Sequence, residues 1–354
     1  MSSAVSAVKG GRRRLDASVL PEYDVPTREP RIESPATVRA IITAMIGLWL
    51  VGTACAATSI VAIGAPTWIE RPAAGLLMVV FAVGIIHRGG GHMRIWLTMT
   101  AALAISAVVL ETNLLLASAA AVTAVLAAVW AVMATRPART LLGAVAEYVL
   151  ALVVALSGTV AVAAWNAPVN YQRFNLIVIT VALGLAITLV WNLGAGLHGL
   201  GRQNFAVLAG AAALLLVLLA YSSFVRTHGS QTLVDLFSNI VVWLRQNFEG
   251  VPRPVEVFIG FPALIVGVSL RSKHREGWWV LVFAVIGTAV LTTSLVTPGA
   301  FPSYIALSTL YSSILGLVVG LVLRHYVLKE RSSRANRAME QVVRVEPPRF
   351  APLK

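Results

Sequence analysis

The chain reads as an all-α integral membrane protein of about ten transmembrane helices, N-in and C-in, with one amphipathic helix on the outer face. Three observations predict this class: too few charges for a water-soluble core, a succession of apolar runs of span length, and lysines and arginines gathered on alternate loops. The 354 residues are 58% hydrophobic and 12% charged, against about 25% charged in an ordinary soluble domain. Their mean hydropathy is +0.81. Lipid tolerates such a deficit because it hydrates no charge, and it admits helices because they satisfy their own backbone groups.

The apolar runs fall near 38–64, 72–87, 94–110, 114–134, 140–164, 174–193, 204–224, 255–270, 278–297 and 304–323. A span needs roughly 17–25 residues, so 72–87 and 255–270 are short and need their flanks to cross. Ser34 followed by Pro35 predicts the first helix start, a capping hydroxyl with proline at the first helical position. With the N-terminus inside, 23 of the 28 Lys and Arg fall on the cytoplasmic side and only Arg71, Arg173, Arg226, Arg245 and Arg253 lie outside. A miscounted span would scramble that split. The net charge of +13 is therefore a record of topology, and dispersed as it is over short loops and two tails, it excludes nucleic acid as a partner. Tryptophan gives the same frame: Trp68, Trp165 and Trp243 are expected at the outer interface and Trp96, Trp130, Trp191, Trp278 and Trp279 near the inner one.

Residues 1–34 and 330–354 have the mixed charge and few aromatics of disordered cytoplasmic tails, leaving 35–329 as the helical bundle. The one sizeable outer loop, 226–254, holds Leu233, Leu236, Phe237, Ile240, Trp243, Leu244 and Phe248 at three-to-four spacing, opposite Asp235, Ser238, Asn239, Arg245 and Gln246. This period predicts a helix lying flat on the leaflet, since Asp235 and Arg245 oppose its insertion. Pro72 to Trp96 and Pro254 to Trp278 share the same separation, a hint of a parallel repeat.

Motifs for soluble chemistry find no setting here. Gly194-x-Gly196-x-x-Gly199 has the letters of a dinucleotide loop but follows a membrane span, with no βαβ unit to seat a pyrophosphate. His87 and His92 flank glycines without a carboxylate or thiol neighbour, too little for a metal. The single cysteine, Cys55, allows no internal disulfide. No catalytic residue, metal site or cofactor is assigned.

Three sets of residues carry what functional signal remains. Glu147 is read as the only ionisable residue well inside a span, with Gly143, Ala151, Ala155 and Thr159 at helical spacing to turn it inward; it is the candidate for proton coupling or for structural hydrogen bonding. Arg71, Arg173, Arg226, His228, Arg245 and Arg253 form an outer set able to hold an anionic headgroup. Ser308, Ser312, Gly316 and Gly320 form a stripe of small residues for close helix packing, and Gly260 with Pro262 breaks the short eighth span. A permease or translocase of the bacterial envelope fits these features, with a non-catalytic scaffold or assembly factor as the alternative and an outer-face transferase of lipid-linked substrates as the third reading. Arginine outnumbers lysine 24 to 4 in an alanine-rich chain, the usage of a high-GC bacterium, which points to a bacterial cell membrane. The expected partners are membrane lipids, with a second copy or other envelope membrane proteins beside them.

Overall fold

Apolar runs bounded by capping residues become helices throughout, and the computed structural model describes residues 35–61, 66–193, 210, 213, 231–272, 277–296, 301–335 and 346–353. The helices are α1 (Pro35–Ala57), α2 (Glu70–Gly89), α3 (Met93–Leu110), α4 (Asn113–Met133), α5 (Leu141–Ala164), α6 (Tyr171–Asn192), α7 (Gln231–Phe248), α8 (Phe261–Arg271), α9 (Gly277–Thr292) and α10 (Pro302–Ala335). Thr112, Thr140 and Asn170 cap α4, α5 and α6, each side-chain oxygen accepting a backbone N–H of the first turn. Gly90 ends α2 in the left-handed region, φ 70°, where glycine has no Cβ penalty. Glu111 takes the same conformation after α3, φ 51°, and its carboxylate meets Arg71 at 2.7 Å. By internal contacts the chain divides at Ile41, within α1, and the packing described below belongs to the unit from Ile42 onward.

Among the described residues, eight helices are long and apolar enough to cross a membrane, which makes the chain a polytopic membrane protein in contact with lipid. They are α1, α2 with its leading 3-10 turn, α3 to α6, α9 and α10. Two of the ten expected runs are not among these eight. The 204–224 run lies outside the described residues, as do Arg226, His228 and the Gly194–Gly199 motif. The 255–270 run is helical from Pro254 to Arg271, but a π-turn at Glu256–Gly260 divides it and leaves α8 itself 11 residues. The other short run is rescued as its flanks suggested: Thr67–Ile69 and Glu70 extend it to 23 residues.

The core is built by α2, α4, α5 and α9, with alanine dominating the buried faces of α4 and α5, while α1 and α3 leave most of their surface uncovered. Small side chains let backbones approach and threonines join them. Thr288 Oγ1 donates to the Ala128 carbonyl at 2.9 Å and Thr159 Oγ1 to that of Leu291 at 3.0 Å. Backbone meets backbone at Gly260 and Gly287, where a Cβ added to Gly260 would stand 2.3 Å from the Gly287 Cα.

Tryptophan departs from the interfacial expectation in part. Trp68, Trp96, Trp191 and Trp243 are exposed as belt residues are, but Trp130, Trp165, Trp278 and Trp279 are buried. For Trp165, Trp130 and Trp278 the reason is tertiary. The Trp165 indole donates to Thr123 Oγ1 at 2.9 Å, Trp130 fills the space over Gly84, and Trp278 lies 4.1 Å beneath the Arg271 guanidinium.

Candidate functional site

The chain enters the bundle without helical structure between Gly250 and Arg253, and this irregular entry sets the site. Backbone outside a helix must find partners when it is buried in a membrane protein. Here α10 supplies them: Ser308 Oγ accepts from the Val251 N–H at 3.0 Å and Ser312 Oγ from the Arg253 N–H at 2.8 Å. Gly250 itself lies against the α10 backbone at Ser308 and Leu307. Ser312 is ten residues into the 34-residue α10, about 15 Å along its axis. The entering segment therefore turns helical about a third of the way along α10.

At that height lies an ion pair. Arg253 Nη1 meets Glu256 Oε1 at 2.7 Å, and the Glu256 side chain is fully buried. The Ser312 hydroxyl lies against the same carboxyl. Glu256 Oε2, Arg253 Nη2 and Thr309 Oγ1 are buried without a hydrogen-bond partner among the described residues. Phe261 packs edge-on to Tyr148 at 5.8 Å, and the Tyr148 hydroxyl donates to the Ser313 carbonyl at 2.8 Å, which ties α5, α8 and α10 around the pair. The π-turn begins at Glu256, and Gly260 at its end makes the contact with Gly287. An acidic group, a basic group, spare polar atoms and an interrupted helix thus meet in one place, which is what binding or passing a charged species requires.

The structure places the sequence-derived candidates as follows. Ser308, Ser312, Gly316 and Gly320 all face the 250–265 segment; Gly316 lies on Phe261 and Gly320 on Pro262 and Ile265, while the two serines act as hydrogen-bond acceptors. Arg71 pairs with Glu111, Arg173 is exposed in the first turn of α6, Arg245 stacks over Tyr304 at 5.3 Å, and Arg253 holds Glu256. The described arginines of the outer set thus each have a different setting. Glu147 stands two turns into α5, where its Oε2 accepts from the Arg136 N–H at 2.9 Å and its Oε1 meets Arg349 Nη2 at 2.6 Å.

Sequence reasoning missed Glu256. Counted from the edge of an apolar run, its position looks interfacial, whereas the non-helical approach carries it inward. The available signal was the Arg253-x-x-Glu256 spacing directly ahead of the Gly260 and Pro262 breakers, opposite a helix with hydroxyls at the matching interval.

A second polar region occupies the end of the bundle where α2, α4 and α8 finish. Residues 346–353, which composition assigns to a tail, lie against it. Arg88 Nη1 donates to the carbonyls of Pro348, at 3.2 Å, and Arg349, and the Leu353 N–H donates back to the Arg88 carbonyl at 3.0 Å. Arg271 Nε meets Glu346 at 3.2 Å. Burial pulls the Arg349 guanidinium below its ordinary pKa, and Glu147 opposes that shift.

No protein-family model matches the chain, and neither the curated proteins nor the solved structures yield a match. Function rests on the geometry alone.

Proposed function

We propose that this chain is a permease-like translocation protein of a bacterial cell membrane, with the Arg253–Glu256 pair as its polar transport site. The observation that carries the reading is a fully buried, ion-paired carboxylate at a π-turn, reached through non-helical backbone inside the bundle. Stability does not account for such a pair, because well-packed apolar residues of the same volume serve as well or better. A titratable carboxylate whose partner can exchange for a substrate or cation does account for it. The orientation follows the charge split, with both termini and the Arg88 end of the bundle cytoplasmic. Nothing resembling a nucleotide-binding domain stands in the sequence, so a gradient or a partner chain supplies the energy.

The test is complementation of a deletion strain followed by untargeted metabolite and lipid analysis. Wild type and Glu147→Gln restore the normal profile, whereas Glu256→Gln leaves the deletion profile in place although its level and melting temperature in membranes match wild type. Full restoration by Glu256→Gln removes the pair from transport.

The scaffold reading draws on one specific observation, the backbone contact of Gly260 with Gly287. So close a backbone joint suits a static platform for other envelope proteins. Under this reading the deletion profile follows the loss of a partner protein from the membrane, and Glu256→Gln is silent.

A further inference from the structure

The Arg88 end of the bundle holds an arrangement that the transport reading does not use. Arg88 and Arg271 are both essentially buried, and both donate to one carbonyl, that of Thr135: Arg88 Nη2 at 3.3 Å and Arg271 through Nη2. Arg271 Nη1 also reaches Thr135 Oγ1 at 3.2 Å, and its guanidinium is stacked on Trp278. Arg136 and Arg139 are exposed beside them, Arg324 donates to the Arg139 carbonyl at 3.2 Å, and Arg349 arrives with the C-terminal segment. Among the described residues, six arginines therefore meet two carboxylates, Glu147 and Glu346. A cavity of about 430 Å³ opens there, lined by Arg136, Arg139, Ser272 and Glu346 with the neighbouring prolines.

We propose that this face is a binding site for a phosphate group, and that Glu346 occupies it as an internal anion. The buried guanidiniums are held in place by Thr135 and Trp278, and Arg271 already meets an anion, the Glu346 carboxylate, through Nε. A phosphate fits the excess of positive charge better than the single carboxylate does. The contacts holding 346–353 are ones that a phosphate can replace: a carboxylate on Arg271, and peptide carbonyls on Arg88 and His87, the latter taken by Phe350 at 3.1 Å. When phosphate enters, the segment leaves and frees Arg349 from Glu147. An anionic lipid headgroup and a soluble phospho-compound both present this phosphate, so the recognition chemistry is shared.

The experiment uses the full chain in zwitterionic detergent micelles. Melting temperature and binding are followed with inorganic phosphate, with phosphatidylglycerol, and with phosphatidylcholine and potassium chloride as controls at equal ionic strength. Wild type binds one of the two anions, and Glu346→Gln tightens that binding about ten-fold by removing the competitor. The paired change Arg136→Gln with Arg139→Gln, at exposed positions that leave the fold intact, weakens it by about ten-fold or more. A cysteine at Pro348, in a Cys55→Ser background, becomes reactive to a soluble maleimide on adding the anion. Response to inorganic phosphate identifies a soluble ligand, and response to phosphatidylglycerol alone identifies a headgroup. Equal behaviour of anions and controls overturns the proposal, as does a Glu346→Gln variant that binds no tighter than wild type.

Discussion

Two carboxylates on this bundle differ in what surrounds them, and that difference predicts what their loss does. Glu256 is sealed with Arg253, so removing the arginine alone strands a buried charge. Arg253→Ala is expected to cost about 3–5 kcal/mol, while the joint change Arg253→Met with Glu256→Leu recovers most of it, because the desolvation penalty disappears with the pair. Unfolding in mixed micelles measures both; a double variant as weak as the single one would show that the pair supports the fold directly. Glu147 is half-buried at the end of the bundle, and both of its oxygens have partners, the Arg136 N–H and the half-buried Arg349 guanidinium. Glu147→Gln keeps an acceptor for the Arg136 N–H and is expected to melt within a degree or two of wild type. At this scale the sequence was legible only in kind. It showed that buried charge was scarce, but distance along an apolar run stood in for depth, and at Glu256 the extended stretch before the helix breaks that equivalence.

Helices were more legible than residues, because a helix is announced by its own period and caps while a contact needs two distant segments. The stripe Ser308, Ser312, Gly316 and Gly320 was readable as a packing face. That its serines hold the backbone of an extended entry was not, since hydroxyls in membrane helices usually bond their own preceding turn. The joint between the π-turn and α9 gives the sharpest element-level expectation. Gly260→Ala places a methyl 2.3 Å from backbone that cannot turn aside, and should cost roughly 1–3 kcal/mol. Gly184→Ala in α6, where nothing lies within 4 Å of the added Cβ, should be neutral or stabilising by up to about 1 kcal/mol. If the two melt alike, the close approach is not a feature of the protein in its membrane. For α7 the amphipathic period predicts the surface it rests on. Brominated lipids should quench a fluorophore at Ile240 and Trp243, whereas Asp235 and Asn239, exposed in the structure, should react with water-soluble reagents. Uniform shielding along 231–248 would mean that the segment inserts.

At the scale of the whole molecule, composition decided the class and charge asymmetry the expected orientation, because both follow from the solvent rather than from any particular contact. The docked segment 346–353 was not legible: its residues have no period, and what holds it is a set of carbonyls and ion pairs contributed by three separate helices. It nevertheless sharpens the topology. Contacts of this segment with Arg88, Glu147 and Arg271 require the C-terminus to share one side of the membrane with the connections after α2, α4 and α8. In a Cys55→Ser background, single cysteines at Gly90, Arg136 and Pro352, all exposed, should therefore resist an impermeant maleimide in intact cells and react once the membrane is opened. Cysteines at Thr112 and Pro168, exposed at the opposite end, should react in intact cells. Because 23 of 28 basic residues are assigned inside under this orientation, reversing it would leave only five there, against the bias that sets insertion. Labelling of Pro352 together with Thr112 would place the C-terminus on the far side from Arg88. The phosphate site would then lose its internal anion, and the ten-span count would lose its parity.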